Sequence, residues 1–369
     1  MNGHREPSVR IIKRDGMPRL QAWGIRLIAL IAALAVCSIV IFIIVKLNPL
    51  KVFAAMYDGA FGTGRRSWAT IRDAMTMLCI AVGLAPAFKM RFWNIGAEGQ
   101  ILVGGIATAA CMIYCPGLPT PLLFLIMIAS SIIAGAVWGI VPAVFKAKWN
   151  TNETLFTLML NYIAIQLTSY FVSIWENPKG SNVVGVINQN SKAGWLPNLF
   201  SEGFNKDFGV NVIIVLALAV AMFIYLKYSK HGYEISVVGE SENTARYAGI
   251  KLSKVYIRTM AISGAVCGIA GFIAVSGASH TISTDTAGGR GFTAIIVAWL
   301  SKFNTFVMIL FSFLLVFLEK GAVQIASQYN LNDHVSSMLT GIILFFILGS
   351  EFFINYKLVF RGGKKVQSK

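Results

Sequence analysis

Long apolar segments separated by short polar stretches run through almost the whole chain. Most exceed the roughly 18 consecutive apolar residues that distinguish a membrane span from a buried core helix. A bilayer offers no water to backbone polar groups, so spans are helices or closed barrels. The segments are continuous rather than alternating, which excludes a barrel. The pattern predicts ten spans: Ile25–Leu47, Trp68–Phe88, Trp93–Tyr114, Pro121–Phe145, Glu153–Trp175, Val210–Tyr228, Arg258–Ser279, a short Phe292–Phe303, Thr305–Ala326 and His334–Tyr356.

Composition and charge place these helices in a membrane and orient them. Of the 369 residues, 56% are hydrophobic and 13% are charged, against roughly 25% charged residues in soluble domains. With the N-terminus inside, 22 Lys and Arg residues lie in inner segments and nine in outer ones, as the positive-inside rule expects. We predict an all-α polytopic bundle with both termini cytoplasmic, consisting of a tail at 1–24, a single transmembrane domain at 25–356 and a basic tail at 357–369.

No motif in the chain indicates catalysis, nucleotide binding or metal binding. The net charge of +16 does not point to nucleic acid, because the basic residues lie beside the spans and form no stripe interleaved with aromatics. The phosphate-cradling GxxxxGK[ST] loop is absent, so ATP hydrolysis by that chemistry requires a separate polypeptide. The histidines have no ligand spacing, and the five cysteines lie in or at the ends of apolar runs. We expect no catalytic residue, metal or cofactor.

Two Gly-rich stretches, residues 89–105 and 288–302, resemble interrupted helices. Paired Gly-broken segments are a sequence signal for the solute pathway of a transporter. Three glycines at helical spacing in the seventh span predict a flat face for close helix packing. They are Gly264, Gly268 and Gly271.

Glu98 is the main candidate functional residue, because a carboxylate at the bilayer centre costs roughly 2.5–3.5 kcal/mol. A helix N-terminus returns up to about 1 kcal/mol of this. Three roles stay open, which are a cap for the third span, contact with a partner subunit, and solute binding. Asn161 either bridges helices or lines a path. Arg72 and Asp73 point in different directions on a helix, and either is able to snorkel to the outer interface.

A polar segment at 229–258 interrupts the apolar pattern between the sixth and seventh spans. Within it, Glu242–Ala248 predicts a short helix ended by Gly249. A structured polar loop on the cytoplasmic side suggests a docking site for a soluble partner, and the alternative is an ordinary solvated loop. The outer segment 176–209 is rich in Asn, Gly and Pro, which predicts a turn-rich loop. It either caps the outer mouth, contacts an extracellular partner or merely connects two spans.

Four stretches together resemble one family. They are FWNIGAEGQILVGG, NETLFTLMLNYIA, VGESENTARYAGI, and SGAVCGIAGFIAVSG followed by GRGFTAIIVAWLSKFN. These resemble permease subunits of ABC importers in the ribose, nucleoside and branched-chain amino acid group, and specifically the simple-sugar and nucleoside branch. The family's signature then falls on Asn94, Gly96, Glu98, Gly99 and Gln100, with Asn161 as a further pathway candidate. Its coupling segment falls on Glu240, Asn243, Ala245, Tyr247 and Gly249.

The resemblance implies a multi-pass permease of a bacterial plasma membrane that forms half of a translocation pathway for nucleosides. Its partners would be a second permease in a heterodimer, an ABC ATPase docked on residues 239–250, and an extracytoplasmic binding protein or lipoprotein. A permease for ribose or galactose-type sugars is the alternative within the class. Outside it stand an ion-coupled secondary transporter using Glu98 or Glu319 and, without a catalytic cluster to support it, a membrane enzyme.

Overall fold

The computed structural model describes residues 9–14, 17–197, 209–331 and 333–360, and almost all regular structure in them is helical. Two short π-helical segments, Ile41–Val45 and Ile273–Ser279, continue the first and tenth helices. The thirteen α-helices are α1 Arg19–Val40, α2 Pro49–Phe61, α3 Gly64–Lys89, α4 Ala97–Tyr114, α5 Thr120–Trp149, α6 Glu153–Trp175, α7 Gly209–Tyr228, α8 Lys230–Glu240, α9 Glu242–Tyr247, α10 Leu252–Phe272, α11 Arg290–Leu300, α12 Thr305–Tyr329 and α13 Asp333–Asn355.

Nine helices in the described ranges are long and apolar enough to cross a membrane, and the 11-residue α11 is a shorter apolar helix. Every predicted span corresponds to one of these ten, which confirms the membrane-embedded helical fold. Four starts differ from the sequence analysis by four residues or more, since α1 begins at Arg19 and α3 at Gly64, earlier than predicted. The third span begins at Ala97 because the preceding residues are not helical, and the seventh begins at Leu252. The analysis also missed α2, whose 13 residues fall below span length.

The all-α prediction missed one feature, a short antiparallel strand pair. Strand β1 (Val9–Lys13) pairs with β2 (Tyr356–Phe360), with Ile11 opposite Leu358. The pair holds the described ends of the chain side by side. This arrangement fits an even number of membrane crossings.

Backbone contacts divide the chain into two compact units, one from residues 1–62 and 317–369 and one from residues 63–316. In the first, α1 packs against α13, and Arg26 forms an ion pair with Glu351 at 2.5 Å. The second contains α3 to α11, with α4, α5 and α10 in closest contact. The division of the sequence into two tails and a single transmembrane domain stays a prediction.

Glycines bring the backbones of α4, α5 and α10 into direct contact. A Cβ added at Gly268 would lie 2.2 Å from the Ser131 carbonyl oxygen, and one added at Gly264 would lie 2.2 Å from that of Gly135. Further along the same face of α10, a Cβ at Gly271 would lie 2.2 Å from the Ile101 carbonyl oxygen of α4. Small residues permit this close approach in membranes, where no hydrophobic effect drives helices together. The glycine face predicted from sequence is therefore a single packing surface that contacts both α4 and α5.

We expect Gly268→Ala to lower stability by about 1–3 kcal/mol, because its methyl group would overlap backbone that has no side chain to move aside. Gly341→Ala is the matched control, since nothing lies within 4 Å of an added Cβ there. Thermal unfolding of the purified protein in detergent measures both changes. An equal melting temperature for the two variants would contradict the close packing.

Candidate functional site

The entry segment of α4, residues 90–96, is non-helical and runs alongside α10. The Phe92 ring lies 6.0 Å from the Tyr256 ring, and Asn94 Nδ2 donates to Ser263 Oγ at 3.2 Å. Ser263 lies about 10 Å further along α10 than Tyr256, at 1.5 Å per residue. Helix α4 thus begins near the middle of α10 rather than at its end. The interruption predicted at 89–105 is present, and it carries irregular backbone into the helical bundle.

Side-chain amides satisfy the polar groups of this entry segment. Asn94 Oδ1 accepts from the Gly96 backbone N–H at 3.0 Å. The Asn94 and Gln100 amides bond to each other, with Asn94 Nδ2 and Gln100 Oε1 3.4 Å apart and Gln100 Nε2 and Asn94 Oδ1 3.4 Å apart. Both side chains are almost fully buried, at 0% and 1% exposure. Buried amides that bond to each other and to backbone avoid the cost of unpaired polar groups.

Helix α6 holds the same segment from its other side. Asn161 Oδ1 accepts from the Gly99 N–H at 2.8 Å, and Asn161 Nδ2 donates to the Ile95 carbonyl at 2.8 Å. Thr157 Oγ1 accepts from the Ile95 N–H at 3.1 Å. Of the two roles left open for Asn161, the structure shows the bridge between elements.

Glu98 caps the N-terminus of α11. Its Oε1 accepts from the Gly289 N–H at 2.7 Å, and its Oε2 accepts from the Gly291 N–H at 2.8 Å. Of the three hypotheses for Glu98, the geometry supports a cap. The capped helix is α11 and not the third span as expected, because the donor N–H groups lie 191 and 193 residues from Glu98. The two interrupted segments picked out by sequence therefore meet here.

The start of α11 has glycine at two positions of this contact, Gly289 and Gly291. Gly289 adopts a positive φ of 72°, which side chains disfavour. A Cβ at Gly291 would lie 2.6 Å from both the Glu98 backbone nitrogen and Oε2. The helix start can approach the carboxylate this closely only without side chains.

Arg290, between these glycines, reaches a second buried carboxylate. Its Nη2 lies 3.4 Å from Asp73 Oδ2, and Asp73 on α3 is 3% exposed. The expectation that Asp73 could snorkel to the outer interface is therefore wrong, while its neighbour Arg72 is more exposed and pairs with it at 3.2 Å. A basic residue opening a helix opposes the helix dipole. That mismatch was the available sequence signal for an acidic partner.

The polar segment 229–258 contains two short helices, α8 and α9, where the sequence predicted only one. Ser229 Oγ caps α8 by accepting from the Gly232 N–H at 2.9 Å, and Ser241 Oγ caps α9. Gly249 then turns the chain with a positive φ of 75°. A Cβ at Gly239 would lie 2.1 Å from the Lys89 carbonyl oxygen, so α8 presses directly on the end of α3.

Four of the five predicted coupling residues are exposed, and one anchors the segment. Tyr247 is 93% exposed, an unusual state for an aromatic side chain, whereas Ala245 is fully buried. Glu240, Asn243 and Gly249 are also exposed. Beside them, the Tyr256 hydroxyl on α10 donates to Glu242 Oε1 at 2.8 Å.

His231, which sequence analysis did not select, ties α8 to two membrane helices. The Tyr225 hydroxyl on α7 bonds to its Nδ1, and Thr259 Oγ1 on α10 lies 3.3 Å from its Nε2. Burial and then the nearby Arg258 lower the pKa of His231 below its ordinary value. No spacing signal marks it, since both partners come from other elements.

The described part of the outer loop, up to residue 197, packs over the ends of α4 and α10. The Trp195 indole stacks on the His280 ring at 3.8 Å between centroids, and Asn188 Nδ2 donates to the Met112 carbonyl at 2.7 Å. A passive connector would not need these contacts. Residues 198–208 lie outside the described residues.

Together these features define a membrane-embedded transport component, with broken helices meeting inside the bundle and an exposed helix pair between two spans. The family model for the permease component of the branched-chain amino acid transport system matches residues 68–348. The chain belongs to this permease family, which confirms the family identified from sequence. An ABC permease works with a separate ATPase subunit and a substrate-binding protein.

Several permeases with assigned substrates are similar over most of their length. A guanosine ABC transporter permease of Bacillus subtilis is 28% identical, covering 90% of this chain and 94% of its own. A nucleoside ABC transporter permease of Lactococcus lactis is 26% identical, with coverages of 81% and 84%. A glucose ABC transporter permease of Haloferax volcanii is 24% identical, with coverages of 94% and 92%.

We expect Glu98→Ala to cost about 1–3 kcal/mol of stability, because it removes the acceptor of the buried Gly291 N–H and of the partly buried Gly289 N–H. Glu98→Gln should fall in between, since its one amide oxygen can still accept. Glu176→Ala is the matched control, because that carboxylate also accepts from two N–H groups, of Gly180 and Asn182, but in the solvent-exposed outer loop. Thermal unfolding should rank Glu98→Ala lowest. Equal losses from the two alanine variants would contradict a buried cap.

We expect His231 to make stability pH-dependent. Its pKa in the folded protein lies below the unfolded value of about 6.5, so the unfolded state takes up the proton first. Folding stability contributed by neutral His231 is present above that pH and is lost as the pH falls through the folded pKa. His231→Gln should therefore lose less melting temperature on acidification than the wild type. The exposed His334→Gln serves as control, and an unchanged profile in His231→Gln would contradict the assignment.

Proposed function

We propose that this chain is the transmembrane subunit of an ATP-driven importer of nucleosides. It forms half of the translocation pathway and receives the ATPase on residues 239–250. The observation that carries the proposal is the α8–α9 pair, which is exposed at Tyr247 and fixed to three other helices behind it. A docked protein on such a surface moves the helices beneath it instead of a flexible loop.

The contacts of α8 and α9 suggest how the movement travels. Gly239 presses on the end of α3, His231 reaches α7 and α10, and Glu242 is bonded to Tyr256 on α10. Helix α10 in turn slides along glycine-lined backbones of α4 and α5. The start of α4 carries Glu98, which holds α11. A shift of the coupling helices thereby reaches both interrupted segments without any nucleotide site in this chain.

The substrate assignment draws on the guanosine and nucleoside permeases among the similar proteins. The glucose permease keeps sugars as the second candidate. We propose the remaining partners on the same family grounds. They are a second, different permease chain, an extracytoplasmic binding protein or lipoprotein, and a bacterial plasma membrane as location.

Ion coupling through Glu98 has less support from the geometry. Both of its carboxylate oxygens accept backbone N–H bonds, so a proton or cation would have to displace a helix cap. A coupling acid needs reversible access to its ion. The buried cap provides a structural reason for the carboxylate instead.

We expect Tyr247→Ala to reduce ATP-dependent guanosine uptake at least about tenfold while leaving expression and melting temperature unchanged, because aromatic anchors dominate protein interfaces. Tyr162→Ala, which removes a similarly exposed ring from α6, at 64% exposure, should keep wild-type uptake. The assay uses cells expressing the chain with its ATPase, partner permease and binding protein.

Competition with unlabelled ribose, galactose and uridine in the same assay separates the substrates. Displacement by uridine alone supports nucleoside import, and displacement by sugars alone favours the sugar importer. Uptake by this chain without the ATPase, abolished by an ionophore and insensitive to Tyr247→Ala, would overturn the ABC mechanism.

A further inference from the structure

A cleft of about 670 Å³ opens beside α8, between the inner ends of α3 and α11. Its walls are aromatic, and its rim is charged. The side chains that line it include Phe88, Lys89, Arg91, Trp93 and Trp299. A volume in this range suits a ligand of drug or nucleoside size.

Two indole rings form the floor of the cleft. Trp93 and Trp299 stack with centroids 5.3 Å apart and planes 26° apart, and Phe88 packs edge-on against both. The two indoles nevertheless stay 44% and 46% exposed. Aromatic packing therefore fixes their orientation while leaving ring surface open to the cleft.

The indole pair joins the same two segments that meet at Glu98. Trp93 directly precedes the buried Asn94 in the entry segment, and Trp299 lies near the end of α11. The two segments thus meet both at the cap and at this stack.

We propose that this cleft is an exit-side binding site for the nucleobase of a nucleoside. The inference rests on the proposed transport function and extends it to a specific subsite. A planar base gains from stacking on an aromatic side chain, whichever base it is. Lys89 and Arg91 at the rim can donate to ribose hydroxyls and ring nitrogens. A free sugar lacks the flat π-face and gains less.

Interfacial aromatic belts also place tryptophans at membrane boundaries. The two roles predict different effects on nucleoside binding when an indole is replaced. Indoles that only contact lipid would leave nucleoside binding unchanged when replaced. The experiment below therefore measures binding directly and not transport.

The test is equilibrium dialysis of tritiated guanosine, and separately of tritiated ribose, against the assembled transporter in nanodiscs without its binding protein. We expect guanosine to bind at least tenfold more tightly than ribose. Trp299→Ala should weaken guanosine binding about tenfold, which corresponds to about 1.4 kcal/mol. Trp299→Phe, which keeps a ring for stacking, should retain most of the affinity, and it keeps the test valid should the alanine variant fold poorly.

Trp149→Ala is the matched control, because it removes an exposed indole at the end of α5, at 62% exposure, outside the cleft. Guanosine binding that is absent, matched by ribose, or unaffected by both Trp299 variants would overturn the proposal. Failure here is separable from failure of the transport function. ATP-dependent guanosine uptake without cleft binding removes only the subsite, whereas sugar-only uptake removes the nucleoside assignment itself.

Discussion

The carboxylate of Glu98 at the start of α11 is the constraint on which the centre of the second unit depends. A helix that begins inside a bundle leaves N–H groups without water to bond. Glu98 satisfies two of them, and the charge-assisted bonds at 2.7 and 2.8 Å also fix α11 against α4. Arg290 then extends the contact to Asp73 on α3. Two carboxylates and one guanidinium thus hold three elements together, where isolated charges would be costly.

Close glycine packing gives α10 its central place. Its backbone touches α5 through Gly264 and Gly268, and it touches α4 through Gly271. Contacts of this kind depend on fit between backbones, so a single added methyl group at these glycines would disrupt them. The same helix bonds to α8 and α9 through Thr259 and Tyr256. Helix α10 therefore connects the α8–α9 pair to both α4 and α5.

Exposure and anchoring are divided cleanly along the coupling segment. Ala245 is buried and Tyr247 is almost fully exposed two residues later, as the turn of a short helix dictates. Six residues form no stable helix in isolation. Helix α9 persists because Ser241 caps it, Ala245 packs beneath it and Gly249 ends it. The exposed face of α9 is thus held in place by contacts within the chain itself.

Hydropathy by itself determined the spans, the two interruptions and the short coupling helix, because each depends on local composition, turn chemistry and capping residues. Tertiary structure alone decided which helix Glu98 caps, that Asp73 is buried, that His231 joins α7 to α10, and that the chain ends pair as strands. These contacts join residues far apart in sequence or on different elements, and no periodic pattern encodes such a partner. Hydropathy missed helix α2 for a local reason, because its 13 residues are too short an apolar run to be recognised as a span.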